Sequence, residues 1–224
     1  MTKKNICFIC MSCVLLTLLL SSCDSNSDYI TIGDSQVRYD VTNLTLGWGV
    51  YTNEDVRQLQ YLTYLETLHI AHNVLIDDIS PLSELTTLTN LMIRDTGISD
   101  ITPLAGLTNL IILDLSFNYI ECIAPLSDMI YLERLELRQN EIDDLTPIAN
   151  LINLVHLNLQ DNNISDISQL SNLARLIHLN LASNEVSDIS TIVNLESLRF
   201  INVWDNYIID SSYLYYIDEV LGHP

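Results

Sequence analysis

The sequence predicts an α/β solenoid, a stack of short coils with a curved parallel β-sheet on the concave face and 3-10 or irregular segments on the convex face. Three observations predict it. Leucines at 65, 88, 110, 132, 154, 176 and 198 open units that repeat once after 23 residues and then five times after 22. Inside each unit an L-x-L pair alternates apolar with variable residues, the period of a short strand with one buried face. The chain is 48% hydrophobic with 6 Gly and 5 Pro in 224 residues, a composition that builds a packed core and excludes collagen-like or linker-rich chains. A unit this short cannot bury its own apolar face, so stacking on its neighbours supplies the core.

Residues 1–22 read as a secretory signal. Lys3 and Lys4 form its charged start and Ile6 to Leu20 its apolar run, too short for a comfortable membrane span. Cys7, Cys10 and Cys13 have cluster-like spacing, but they fall inside this removable stretch and are expected to hold no metal. The segment ends Leu20-Ser21-Ser22-Cys23, which resembles the lipobox of bacterial lipoproteins. The resemblance implies a diacylglycerol on Cys23 and membrane attachment through that lipid, which two or three acyl chains make firm. Residues 23–40 then serve as lipidated Cys and polar tether, beginning with Asp24-Ser25-Asn26-Ser27-Asp28. Beyond Cys23 the mature chain keeps one thiol, Cys122, expected to pack as a small apolar group.

Residues 41–64 are expected to cap the N-terminal end. Val41, Leu44 and Leu46 look like a degenerate strand, and Val56, Leu59 and Leu62 have helical spacing; Tyr29 to Val41 looks strand-like. Seven repeats fill residues 65–210. Counting from the opening leucine, slots 4 and 6 are apolar and point inward, while slots 3, 5, 7 and 8 are variable and line the sheet face. Slot 9 is Asn73, Thr96, Asn118, Asn140, Asn162, Asn184 and Asn206, a lane expected to hydrogen-bond the backbone of neighbouring coils and therefore structural. Residues 211–224 form a C-terminal cap in which Tyr215, Tyr216, Ile217, Val220 and Leu221 can close the core.

The whole pattern, L-x-x-L-x-L-x-x-N-x-I-x-D-I-x-P-L, resembles the leucine-rich repeat superfamily. The stretches Ile98-Ser99-Asp100-Ile101-Thr102-Pro103-Leu104 and Leu107-Thr108-Asn109-Leu110 are similar to the 22-residue class of the bacterial internalins. That resemblance implies recognition or adhesion through a protein partner. No sorting motif or second domain follows the repeats, so the family's wall-anchored architecture is not expected.

Charge narrows the function further. Without residues 1–22 the chain has seven Arg against 29 Asp and Glu, a formal charge of −22. Such a surface repels phosphates and anionic bilayers, which excludes nucleic-acid binding and docking by a basic patch. Both Trp residues, Phe117 and Phe200, four of five His and three Arg fall on slots 3 to 8, and aromatics and Arg are what desolvated binding anchors use. The candidate partner-binding residues are Phe117, Arg134, Arg138, Trp204, Arg94, His156, His178 and Trp48. Trp48 and Trp204 have an alternative role as seals of the end coils.

His156 and His178 share slot 3 in successive coils, about 4.8 Å apart, a spacing that zinc or copper could bridge, though no third ligand is evident. An acidic lane, Asp77 or Asp78, then Asp100, Asp144, Asp166, Asp188 and Asp210, is broken by Cys122. It is expected to hydrogen-bond local turns, with weak calcium binding as the lesser option. No enzymatic motif is present, and no cofactor is expected. The reading is a monomeric, lipid-anchored, extracytoplasmic protein whose concave face binds another protein. The alternatives are a scaffold lipoprotein for the cell's own envelope, or capture of glycan or metal there.

Overall fold

The computed structural model describes residues 28–222 and the backbone of Cys7–Phe8. Cys7–Phe8 (β1) lies parallel to Asn43–Leu46 (β4) at one edge of the sheet. Tyr29–Ile32 (β2) and Ser35–Arg38 (β3) form an antiparallel hairpin, and Asn53–Gln58 (α1) follows β4. Thr52 opens α1 with a reciprocal capping box, in which its amide donates to Asp55 at 2.8 Å. Seven strands then recur: Thr67–Ala71 (β5), Asn90–Arg94 (β6), Ile112–Asp114 (β7), Arg134–Glu136 (β8), His156–Asn158 (β9), His178–Asn180 (β10) and Phe200–Asn202 (β11). Glu219–Leu221 (β12) closes the ten-stranded sheet, whose order is β1 followed by β4 to β12 in sequence.

Every coil runs from its strand through a convex 3-10 turn, which Pro opens at Pro81, Pro103, Pro125 and Pro147, where its fixed φ and missing N–H cost nothing. The register is the one the period predicts, because Leu68, Leu91, Leu113, Leu135, Leu157, Leu179 and Ile201 are mutual neighbours and all buried. The Asn lane is buried at Asn73, Asn118, Asn140, Asn162 and Asn184 and bridges coils as expected. Asn162 donates to Leu137 and Leu159 carbonyls and accepts from the Ile142 amide, each at 3.0 Å. Thr96 cannot span that gap, and there Asn118 Oδ1 accepts from the Thr96 amide and hydroxyl instead.

The ends and one thiol differ from expectation. The stretch read as tether is folded from Tyr29 onward, since Ile30, Ile32 and Val37 of the hairpin are buried against the core. At the other end Leu214 is buried, with Tyr213, Ile217 and Val220 packed partly behind it. Tyr215 and Tyr216 are 86% and 84% exposed, because the Ser212–Tyr216 turn presents one face to the core and they occupy the other. Leu221 is also exposed. Cys122 is exposed rather than packed, because its slot precedes the turn and points away from the core.

That slot explains the acidic lane. Asp78, Asp100, Asp144, Asp166, Asp188 and Asp210 each accept the amide of the residue two positions on, at 2.8–2.9 Å, and so cap the 3-10 turn. Asp78, not Asp77, fills the first position. Cys122 cannot accept in this way. Cys122→Asp is therefore expected to stabilise the chain by about 1 kcal/mol and raise Tm by about 2–4 °C. An unchanged or lower Tm would mean the capping bond contributes nothing here.

The same bonds make the fold acid-sensitive. These six carboxyls lie below the ordinary carboxylate range, held down by the hydroxyl and then the amide of the following Ser or Thr. At Asp166 and Asp188 the amide is the larger cause. A depressed folded-state pKa contributes stability above the unfolded value, and that stability is lost as pH falls through the folded value. Tm is expected to drop as pH falls below the ordinary carboxylate range, about 4, and less steeply in Asp166→Asn. Equal slopes in the two proteins would count against the lane.

Candidate functional site

The sheet face carries the predicted residues in three neighbouring lanes. Slot 3 aligns Thr67, Asn90, Ile112, Arg134, His156, His178 and Phe200, each a direct cross-strand partner of the next. His156 and His178 rings have centroids 5.5 Å apart, and His178 and Phe200 rings 5.7 Å apart, so the far half of the face is an aromatic ladder. Slot 8 is conformationally distinct. His72, Asp95, Phe117, Gln139, Asp161, Ser183 and Asp205 all have φ between 50° and 62°. This left-handed conformation is rare for non-glycine residues, and here it turns the chain out of each strand.

At the centre of the face Phe117 is flanked by two cations. Arg94, from the coil before, holds its guanidinium 5.6 Å from the ring centroid, and Arg138, from the coil after, holds its own at 5.1 Å. Each contact contributes roughly 0.5–1 kcal/mol at such partly exposed positions. Ser116, small and buried, separates the two arginines in their lane. Arg134 opens the strand of the coil that carries Arg138 and meets Glu136.

The residues that the sequence reading did not select are Asp114 and Glu136, cross-strand partners on β7 and β8. Both are carboxylates under 10% exposed, next to the exposed or half-buried Ile112, Arg134 and His156 of these strands and the one after. Arg94 Nε lies 3.5 Å from Asp114, and Arg134 and His156 Nε2 both meet Glu136 Oε1, the latter at 2.9 Å. Burial pushes the Glu136 carboxyl up. The side chains of His156 and Asn158 and the charge of Arg134 outweigh it, so Glu136 sits below its ordinary value. Burial pushes His69 down, opposed by the charge of Asp114. The signal was present in the sequence as two acids in adjacent slot 5 positions beside three arginines.

His156 is therefore engaged with Glu136, and it meets His178 as a tilted ring pair. Among the described residues no three His, Cys, Asp or Glu side chains gather as a metal-holding group. Trp48 does not seal the opening coil. It is 74% exposed and stacks on His72 with centroids 4.0 Å apart, and His72 Nδ1 lies 2.7 Å from Asp95. Trp204, 61% exposed, borders a shallow cavity of about 510 Å³ lined by Asp205, Tyr207, Ile208 and Gly222. Gly222 is obligatory there, since a Cβ would meet the Trp204 backbone at 2.1 Å. Cys23 lies outside the described residues, among which no helix is long and apolar enough to cross a membrane.

The family described as leucine-rich repeats in two copies matches residues 86–128. No curated protein matches the chain. Among solved structures, an internalin (inlF) from Listeria monocytogenes is 32% identical with a TM-score of 0.75, over 81% of this chain and 54% of its own. The chain thus spans about half of that protein. Internalin C2 (inlC2) from the same organism is 31% identical with a TM-score of 0.76, over 85% of this chain and 86% of its own. A leucine-rich repeat protein of Leptospira interrogans, 23% identical with a TM-score of 0.68 over 75% of this chain and 44% of its own, shares the fold.

Proposed function

This chain belongs to the internalin family of leucine-rich repeat proteins, and on that premise we propose that it is an envelope-anchored recognition protein binding a protein partner on its concave face. The observation that carries the reading is the group at the middle of the sheet, Phe117 between Arg94 and Arg138, with Arg134 alongside. Aromatic and Arg side chains held in place and partly desolvated are the composition of interface anchors. The ladder of His156, His178 and Phe200 and the exposed Trp48 and Trp204 extend the face toward both ends of the solenoid. The anchor is a lipid on Cys23, supported by the Leu20-Ser21-Ser22-Cys23 sequence and the polar residues after it.

The test is a crosslinking pull-down with residues 24–224, set beside the Phe117→Ala, Arg134→Ala, Arg138→Ala, Trp204→Ala variant. Host-cell surface proteins and the producing cell's own envelope serve as separate baths. A partner captured by the wild type and lost in the variant supports the concave face, and the bath it came from separates adhesion from scaffolding. Equal capture by both proteins would overturn it. Metabolic labelling with an alkynyl fatty acid tests the tether: the full chain should take label and Cys23→Ser should not. Label retained in Cys23→Ser would place the lipid elsewhere.

A further inference from the structure

Arg138 stands apart from every other arginine of the chain. Arg38, Arg57, Arg94, Arg134 and Arg199 each face a carboxylate within 4 Å, and Arg175 donates to Asn153 Oδ1 at 2.7 Å. The Arg138 guanidinium has no acceptor among the described residues, and its Nε is shut off from water without a hydrogen bond. With no protein acceptor, the terminal Nη donors of this always-charged group, held against an aromatic ring, are left to water in the free protein, and an arriving anion can take the place of that water. The residue is only partly buried, and an anion can reach its terminal Nη atoms though not Nε.

The rest of the surface selects which anion. The chain has a net charge of −20, so a polyanion is repelled at long range by the summed field. At close range the centre of the face is the opposite, with three arginines against Asp114 and Glu136. A field acidic at a distance and locally cationic fits a basic protein surface carrying one carboxylate. A planar carboxylate also matches the guanidinium fork, and Phe117 offers its neighbouring methylenes an apolar contact.

We propose that the concave centre is a carboxylate-reading subsite, in which Arg138, backed by Phe117, takes a single Asp or Glu side chain from an otherwise basic protein segment. This rests on the concave-face reading above. The probe is a displayed library of random peptides selected on wild-type protein, with the winning peptides resynthesised for calorimetry. The expected winners are rich in Lys or Arg and contain one acidic residue. Exchanging that residue for its amide, or Arg138→Gln in the protein, weakens binding about tenfold or more, and the two changes together cost little beyond either alone. Arg138→Lys retains part of the affinity, and circular dichroism of each variant checks folding.

Winners without an acidic residue, an empty selection, or polyglutamate or heparin binding as tightly as the winners would overturn the subsite. So would losses that simply add in the double variant. The two readings fail separately. Binding lost in Phe117→Ala but unchanged in Arg138→Gln removes the carboxylate and keeps the face. Binding unchanged in Phe117→Ala, Arg134→Ala, Arg138→Ala and Trp204→Ala alike removes the face itself.

Discussion

Replacing Asn140 by Ala is expected to cost about 3–5 kcal/mol, measured by urea unfolding at equilibrium. One amide group at this position does the work of several turns. Its Nδ2 donates to the Leu115 and Leu137 carbonyls at 3.1 and 3.0 Å, and its Oδ1 accepts from the Ile120 amide at 3.0 Å. All three backbone groups are buried; alanine leaves the Ile120 amide without a partner, at about 1–3 kcal/mol, and takes one of two donors from the Leu115 and Leu137 carbonyls, which keep Asn118 and Asn162, at about 0.5–1.5 kcal/mol each. The lost bonds join two adjacent coils, so the loss is felt as uncoupling as well as local strain. Asn206→Ala makes the internal comparison. Its side chain makes similar bonds but is partly exposed at the last coil, and water can replace it, so about 1 kcal/mol is expected. Equal losses at Asn140 and Asn206 would show that the lane stabilises through something other than buried amides.

Leu135→Ala is expected to cost about 2–5 kcal/mol. Leu135 is fully buried on β8, in register between Leu113 and Leu157. The cavity cannot collapse cheaply, because the backbones on either side are fixed by the parallel hydrogen-bond ladder. In a quasi-one-dimensional array the weakened coil also divides the stack into two shorter ones. The urea transition of Leu135→Ala should therefore shift to lower concentration and broaden. A transition shifted without broadening would mean that the coils melt as a single unit despite the defect.

The fold was legible in the sequence because each slot is a separate physical demand repeated seven times. A strand position that must be apolar, a turn position that must donate and accept, and a convex position that must cap all show as columns. The Leu68 to Ile201 lane and the Asn lane needed no further information. The ends were less legible because a capping coil obeys the demand only once. Tyr215 and Tyr216 look like core in sequence, and only the orientation of the Ser212–Tyr216 turn puts them in water. Cys122 misled for the opposite reason: its slot is read from its neighbours, and the chemistry of the column is Asp.

The candidate site was legible as a location and not as an arrangement. Slots 3, 7 and 8 gave Phe117, Arg94, Arg134 and Arg138 their face. That Phe117 sits between two guanidinium groups follows from cross-coil reach, which the period does not encode. The roles of Asp114 and Glu136 depend on the same reach. They absorb the charge of Arg94 and Arg134, and this leaves Arg138 as the one without an acceptor.

The lane of left-handed residues gives the molecule the properties of a ruler. Its backbone direction is the same at every graduation, while the side chains shown there, among them His72, Phe117, Gln139 and Ser183, share no chemistry. Phe117 is on this lane at coil four, and the neighbouring aromatic marks Trp48 and Trp204 stand on coils one and eight, about 14 and 19 Å from it along the stack at the spacing of paired strands. Removing or duplicating one whole coil between two of these marks leaves every local contact type intact and moves the marks by one graduation. Affinity for a rigid partner would then change with coil number alone, in steps of fixed length, without alteration of any residue that touches it.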